Sequence, residues 1–355
     1  MSTPAKETTT ALTNFEGGGQ PTQPPASKIK NVWKYNVEHE FARISKLIDE
    51  GYTYVAMDTE FPGVVYSYMQ DRINESAYRI LKTNVDALKL IQMGITLADS
   101  NGEKPADIHT WQFNLNFNML TDKYNADSIN LLKEAGINFD EMSEHGIDPM
   151  VFADFLMTSG LVVNNEITWI AFHGAYDFAY VVKVLINSAL PNTSEEFTKY
   201  LKHCFPVIYD IKTMLNDIDE MKNFSLAKLG QELSLKRMGI MHQAGSDALL
   251  TCDIFFSLLK SHFPNTSIDR HLNKVFGIHN EGPFVPYTSE FSIHSFNTGQ
   301  HYAYGSQFPG HQFYAPEAYY RDGYFPTNVA MQHPFYTDQL SRSHILMNAS
   351  HHGRL

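Results

Sequence analysis

A change of hydrophobic rhythm near Asp127 constrains this chain more than any other feature. Before it, Tyr52–Asp58, Leu88–Ala98 and Ile108–Leu115 are rich in β-branched and aromatic residues and read as strands. Phe61-Pro62-Gly63 ends the first, and Asp99-Ser100-Asn101-Gly102 supplies turn chemistry between the other two, so an antiparallel meander is expected. After it, helical spacing over Ser128–Glu134, Met150–Ser159, Tyr176–Ile186 and Glu196–His203 alternates with short apolar strands at Ile167–Phe172 and Val207–Tyr209. Strand–helix alternation needs crossover connections and therefore parallel pairing. A helix is expected over Val32–Ile48 at the start, and a long amphipathic one over about Ser246–His262 closes the body.

These elements amount to an α/β domain, a mixed sheet flanked by helices with the general layout of RNase H-like folds, spanning residues 28–286. The leader, residues 1–27, is rich in Thr, Pro, Gly and Gln and has no apolar core, so it reads as disordered and not as a secretory signal. In the tail, residues 287–355, Tyr302, Tyr304, Phe308, Phe313 and Tyr314 are interleaved with His, Gln, Gly and Pro without helical or alternating period. It is expected to be disordered, either a partner-binding or condensate-forming segment or a dispensable solvated extension. No apolar stretch approaches the ~20 residues of a membrane span, since even Tyr180–Ile186 is interrupted by Lys183. Cys204 and Cys252 form no CxxC pair, which fits a reducing compartment, cytoplasm or nucleus. The net charge of -12 lacks the basic signature of proteins that bind nucleic acid unaided. A nucleic-acid function therefore requires cations to neutralise an acidic centre, or partners to supply affinity.

Three acidic elements stand out. Asp58-Thr59-Glu60 puts carboxylates at i and i+2, which project from one face if both end a strand, and such a pair suits Mg²⁺, which prefers hard oxygen ligands. With 39 acidic residues in the chain, that spacing alone is common by chance. Phe172-His173-Gly174-Ala175-Tyr176-Asp177 follows an apolar strand and opens a helix, so Asp177 falls in a first helical turn where the helix dipole favours its ionised form; an ordinary capping Asp reads the same way. The third is His242-Gln243-Ala244-Gly245-Ser246-Asp247. Helical residues five apart are rotated by roughly 140°, so His242 belongs on the preceding loop, with Gly245 allowing a bend, Ser246 as N-cap and Asp247 in the first turn.

The order of these elements resembles the histidine-bearing branch of the DEDD exonuclease superfamily. Val55-Ala56-Met57-Asp58-Thr59-Glu60-Phe61-Pro62-Gly63-Val64-Val65, Phe205-Pro206-Val207-Ile208-Tyr209-Asp210 and His242-Gln243-Ala244-Gly245-Ser246-Asp247 are similar nearly letter for letter to Caf/Pop-type deadenylase subunits of the CCR-NOT complex. So are Thr110-Trp111-Gln112-Phe113-Asn114, Ser128-Ile129-Asn130-Leu131-Leu132 and Leu156-Met157-Thr158-Ser159-Gly160, and the resemblance runs from about Ile29 to Gly277. His173-Gly174-Ala175 stands where that family more often has His-Ser-Gly, and Phe178-Ala179-Tyr180 replaces Phe-Gly-Tyr; neither removes a ligand.

The resemblance implies phosphodiester hydrolysis by two divalent ions, Mg²⁺ first and Mn²⁺ as the alternative. Asp58, Glu60 and Asp247 would hold one ion, Asp58 would bridge to a second that Asp177 secures, and His242 would take a proton from water. It also implies a 3′→5′ direction, RNA ending in 3′ poly(A) as substrate, release of 5′-AMP, and a role in mRNA decay and translational repression. The implied partners are the large CCR-NOT scaffold subunit, the leucine-rich-repeat nuclease subunit and BTG/Tob proteins, in the cytoplasm, P-bodies included, and the nucleus. No motif reads adenine; Phe61 or Tyr176 either stacks a terminal base or belongs to the core. Two other readings share the motifs. A protein bridge keeping only the fold need not retain four carboxylates and a histidine, and a DNA-proofreading exonuclease is disfavoured by the extended resemblance.

Overall fold

The computed structural model describes residues 28–66 and 77–278; the leader and tail expectations lie outside them. Strand β1 (Ile29–Val32), helix α1 (Val37–Asp49), strand β2 (Tyr54–Glu60), helix α2 (Ala77–Ala87) and strands β3 (Gln92–Ala98) and β4 (Thr110–Asn114) come first. Helices α3 (Ala126–Glu134), α4 (Phe139–His145) and α5 (Pro149–Thr158) lead to strand β5 (Thr168–Ala171), α6 (Ala175–Ile186), α7 (Ser194–Cys204) and strand β6 (Val207–Asp210). Short α8 (Ile211–Met214) and α9 (Leu226–Glu232) precede the long α10 (Ala244–Ser261).

The six strands form one mixed sheet in the order β1-β4-β3-β2-β5-β6. β2, β3 and β4 make the expected antiparallel meander, and β2, β5 and β6 pair in parallel through helical crossovers. The expected opening helix over Val32–Ile48 is corrected at its start. Ile29–Val32 is an edge strand parallel to β4, and the chain then turns, with the Trp33 N–H donating to Asn36 Oδ1 at 2.7 Å, before α1 begins. Likewise β3 starts at Gln92, and the residues before it follow α2, a helix that the apolar rhythm of Leu88–Ala98 did not reveal.

Alternation along the strands sends side chains into two cores. Val55, Met57, Ile95, Leu97, Trp111 and Phe113 join the larger one, shared with α1, α5 and α6, whereas Ala56, Ala98 and Ile170 face α10. The α10 side of the sheet is paved with small residues, and α10 answers with Ala244, Gly245, Ala248, Thr251 and Cys252. Small faces permit a close approach. Its tightest point is Gly94, directly opposite Asp58 in the β2–β3 ladder, where a Cβ would lie 1.9 Å from the Ala244 carbonyl oxygen. Because that neighbour is backbone, no rotamer change relieves the clash. Gly94→Ala is therefore expected to destabilise the protein by about 1–3 kcal/mol and to lift the start of α10 from the sheet. Thermal unfolding checks this, and an unchanged Tm would mean that α10 does not seat there.

Candidate metal centre

Asp58 and Glu60 end β2 on the side facing α10, two and four residues beyond Ala56, which packs in the α10-side core. Asp247 comes to them from the first turn of α10. One carboxylate oxygen from each of Asp58, Glu60 and Asp247 lies within 4.8 Å of the others. Asp247 is held on both oxygens. Oδ2 accepts the His242 backbone N–H at 2.9 Å, and Oδ1 accepts from the Arg237 guanidinium. Arg237 also donates to Ser246 Oγ at 3.2 Å, and that hydroxyl donates to the Met238 carbonyl at 2.8 Å, which ties the loop before α10 to the helix.

Ser246 is thus not the N-cap expected from its residue type. α10 begins at Ala244 with Gln243 as the cap residue, and its first amides are satisfied from the sheet: Ala244 N–H by Gln92 Oε1 at 3.4 Å and Gly245 N–H by Gln112 Oε1 at 3.0 Å. His242 lies on the preceding loop, as the helical-rotation argument requires, in a left-handed conformation with φ of 64°.

Asp177 stands in the first turn of α6 and is 8% exposed, and it approaches β2 from the other side of the strand. Its Oδ1 accepts from the Thr59 N–H at 2.9 Å and the Thr59 hydroxyl at 2.6 Å. The structure therefore groups Asp58, Glu60 and Asp247 directly, and attaches Asp177 to the same strand end through the intervening threonine. Phe61 and Tyr176 stack on each other at 5.3 Å, Phe61 stacks on Tyr180 at 4.9 Å, and all three belong to the larger core.

Burial first, then the charges of Asp177, Asp247 and Glu60, pushes the Asp58 carboxyl well above its ordinary range, with Arg237 opposing. Glu60 is raised in the same way by burial, Asp247 and Asp177. Asp177 is raised to about 7 by burial, against the Thr59 hydrogen bonds that favour its ionised form. His242 is pulled down by burial, with Asp247 opposing, so its imidazole is neutral near pH 7 and able to accept a proton. Crowded, protonation-prone carboxylates with hard oxygen donors are the set that Mg²⁺ or Mn²⁺ fits, since a divalent charge offsets the burial and the repulsion that otherwise raise them. Thr59 and Arg237 are the contributors that motif reading did not identify. Thr59 was visible only as the middle letter of a DxE, and Arg237 lies ten positions before its carboxylate with no repeating pattern to mark it.

The sequence profile of the CAF1 family of ribonucleases matches residues 32–150 and 155–255. The Schizosaccharomyces pombe protein named poly(A) ribonuclease pop2 is 43% identical over 258 residues, covering 72% of this chain and 76% of the relative. An Arabidopsis thaliana protein, probable CCR4-associated factor 1 homolog 10, is 42% identical over 257 residues, covering 70% of this chain and 92% of the relative. The solved structure of S. pombe Pop2p in its Mg²⁺- and Mn²⁺-bound form superposes with a TM-score of 0.67 at 43% identity, covering 71% of this chain and 100% of that one. CAF1 co-crystallised with the yeast NOT1 MIF4G domain gives a TM-score of 0.61 at 34% identity, covering 71% of this chain and 98% of that one. With its sheet, its acidic strand end and these matches in agreement, this chain belongs to the CAF1 family of ribonucleases.

Proposed function

We propose that this ribonuclease removes poly(A) from the 3′ end of mRNA, one 5′-AMP at a time, as the catalytic subunit of a CCR-NOT-type complex. The observation that carries this reading is the convergence of Asp58, Glu60 and Asp247 on one point, with Asp177 and His242 alongside. Asp58, Glu60 and Asp247 hold one divalent ion, and Asp58 and Asp177 hold a second. When bound, such ions stabilise the attacking and leaving oxygens of the phosphodiester. His242, neutral near pH 7, sits on the loop bonded to Asp247 and takes the proton of the attacking water. The buried Phe61–Tyr176 pair supports the strand end and leaves base recognition to other groups.

A chain of net charge -12 attracts RNA poorly, so recruitment by other subunits is part of the reading. The co-crystal of a CAF1 relative with a NOT1 domain supports the large scaffold subunit as a partner. The leucine-rich-repeat nuclease subunit and BTG/Tob proteins are proposed with it, as are action in the cytoplasm, P-bodies and nucleus and effects on mRNA decay and translational repression. No described helix is long and apolar enough to cross a membrane.

Purified protein given RNA with a 3′ oligoadenylate end and a matched DNA strand is expected to release 5′-AMP stepwise from the RNA alone, and chelator should abolish the reaction. RNA left intact under every metal condition would instead favour a bridging role. Asp58→Ala is expected to be inactive, and near-normal turnover would exclude this site. His242→Gln should keep its ions and lose roughly 10²–10⁴-fold in kcat; ion retention is read by Mn²⁺ titration.

Protons and cations compete for the same oxygens. A carboxyl raised in the folded state, such as Asp177 at about 7, contributes stability below its ordinary range and loses it as pH rises through the raised value. In chelator, Tm should therefore fall between about pH 4 and pH 7 beyond the fall seen in Asp177→Asn, and Mg²⁺ should remove that difference. Parallel melts of the two proteins test it, and a chelated wild type that tracks the variant would mean that burial does not hold the Asp177 carboxyl raised.

A further inference from the structure

Asp210 ends β6, is fully buried, and lies outside the group of carboxylates that converge on the strand end. Its two oxygens are completely used. Oδ1 accepts from the backbone N–H groups of His173 and Lys212, and Oδ2 from those of Gly174 and Phe276, all at 2.9 Å. Three separate segments thus meet on one carboxylate: the turn between β5 and α6, the start of α8, and the chain after α10. A carboxylate offers about four lone-pair sites, so this is the full complement it can accept.

The turn it holds is a strained one. His173 adopts φ of 65°, a left-handed conformation that is strained for a non-glycine residue and persists only where the surroundings over-determine it. Gly174, the N-cap residue of α6, has no side chain to bond the helix's first amides. The orientation of that first turn therefore depends on the two amides gripped by Asp210, and Asp177 projects from it three residues later. At its far end Asp177 is fixed by Thr59.

We infer that Asp210 is a positioning residue for the divalent-ion centre: by gripping the His173 and Gly174 amides it sets the start of α6 and with it the Asp177 carboxylate. This rests on the reading of Asp177 as a ligand of the second ion. Asp210→Asn is nearly isosteric, but its single carbonyl oxygen replaces two acceptors, and its NH₂ group faces two N–H donors, so one side of the grip is lost. An outer group that orients a ligand typically governs about 10–100-fold in metal affinity or activity.

The test compares four full-length proteins, wild type, Asp210→Asn, Asp177→Asn and Asp217→Asn, by Mn²⁺ titration followed through the EPR signal of the free ion, with kcat and KM measured on oligoadenylate RNA. Asp217 is a control for lost packing, because it ties Arg270 and His271 at 2.8 and 2.5 Å and touches no part of the α6 turn. The expected result is two Mn²⁺ ions with ordinary affinities in wild type and Asp217→Asn, and loss of the weaker ion in Asp177→Asn. Asp210→Asn should keep the tighter ion, weaken the other by roughly tenfold or more, and lower kcat with little change in KM. If Asp177→Asn loses an ion while Asp210→Asn binds both as wild type does, the inference is overturned. If Asp177→Asn binds both ions, Asp177 is not a ligand and the inference falls with that reading. Asp210→Glu, which keeps the charge and moves it by a methylene, carries the same test where Asp210→Asn does not fold; undiminished second-ion affinity in it overturns the inference.

Discussion

The end of β2 forces together charges that would rather be apart. Two like unit charges about 4 Å apart near a protein surface repel by roughly 4 kcal/mol, and here Asp58, Glu60 and Asp247 converge with Asp177 close behind. Nothing in the cluster itself favours that gathering, and the Asp58 and Glu60 carboxyls are raised first by burial and then by the neighbouring acids. The rest of the fold supplies the compensation: a six-stranded sheet with a core on each face, and Gly94 admitting the α10 backbone to the point where its first turn meets Asp58. The stability of the fold is thus spent on holding an arrangement that a divalent cation then completes.

The two helices that deliver the remaining carboxylates are entered in the same way. α6 follows left-handed His173 and α10 follows left-handed His242, with φ of 65° and 64°. Histidine tolerates this region better than most side chains, but not freely. In each case the amide of the strained histidine is bonded by a buried carboxylate: His173 by Asp210, His242 by Asp247. The second case is the more economical, because Asp247 both belongs to the acidic cluster and fixes the loop that carries His242. In the first the tasks are divided, Asp210 fixing the turn and Asp177 reaching the strand end through Thr59.

Arg237 completes the electrostatics. It bonds Asp247 and Ser246, lowers the energetic cost of the neighbouring acids, and pins the loop before α10 through the Ser246–Met238 contact. A serine that local rules assign to helix capping is recruited into that tie, while Gln92 and Gln112 from the neighbouring strands cap the helix instead. Propensity lost to tertiary context here because the Ser246 hydroxyl is engaged by Arg237 and the Met238 carbonyl while the sheet supplies acceptors for the first amides of α10.

Much of this was legible in the residues. The meander, the parallel crossovers, the shared face of Asp58 and Glu60 and the loop position of His242 follow from the periods of two and 3.6, which operate within a few residues and are written directly in the chain. Edge strand β1 and helix α4 were not legible, since four residues of strand or seven of helix carry too little period to be told from a turn. Least legible were the roles of Thr59, Arg237 and Asp210. Their partners lie 118, 10 and up to 66 positions away, and hydrogen bonds across such separations exist only after the sheet has brought the segments together. Sequence alone determined which groups were available and which face of each element they occupy; the tertiary structure decided which of them meet, because meeting is set by packing between elements and not by spacing within them.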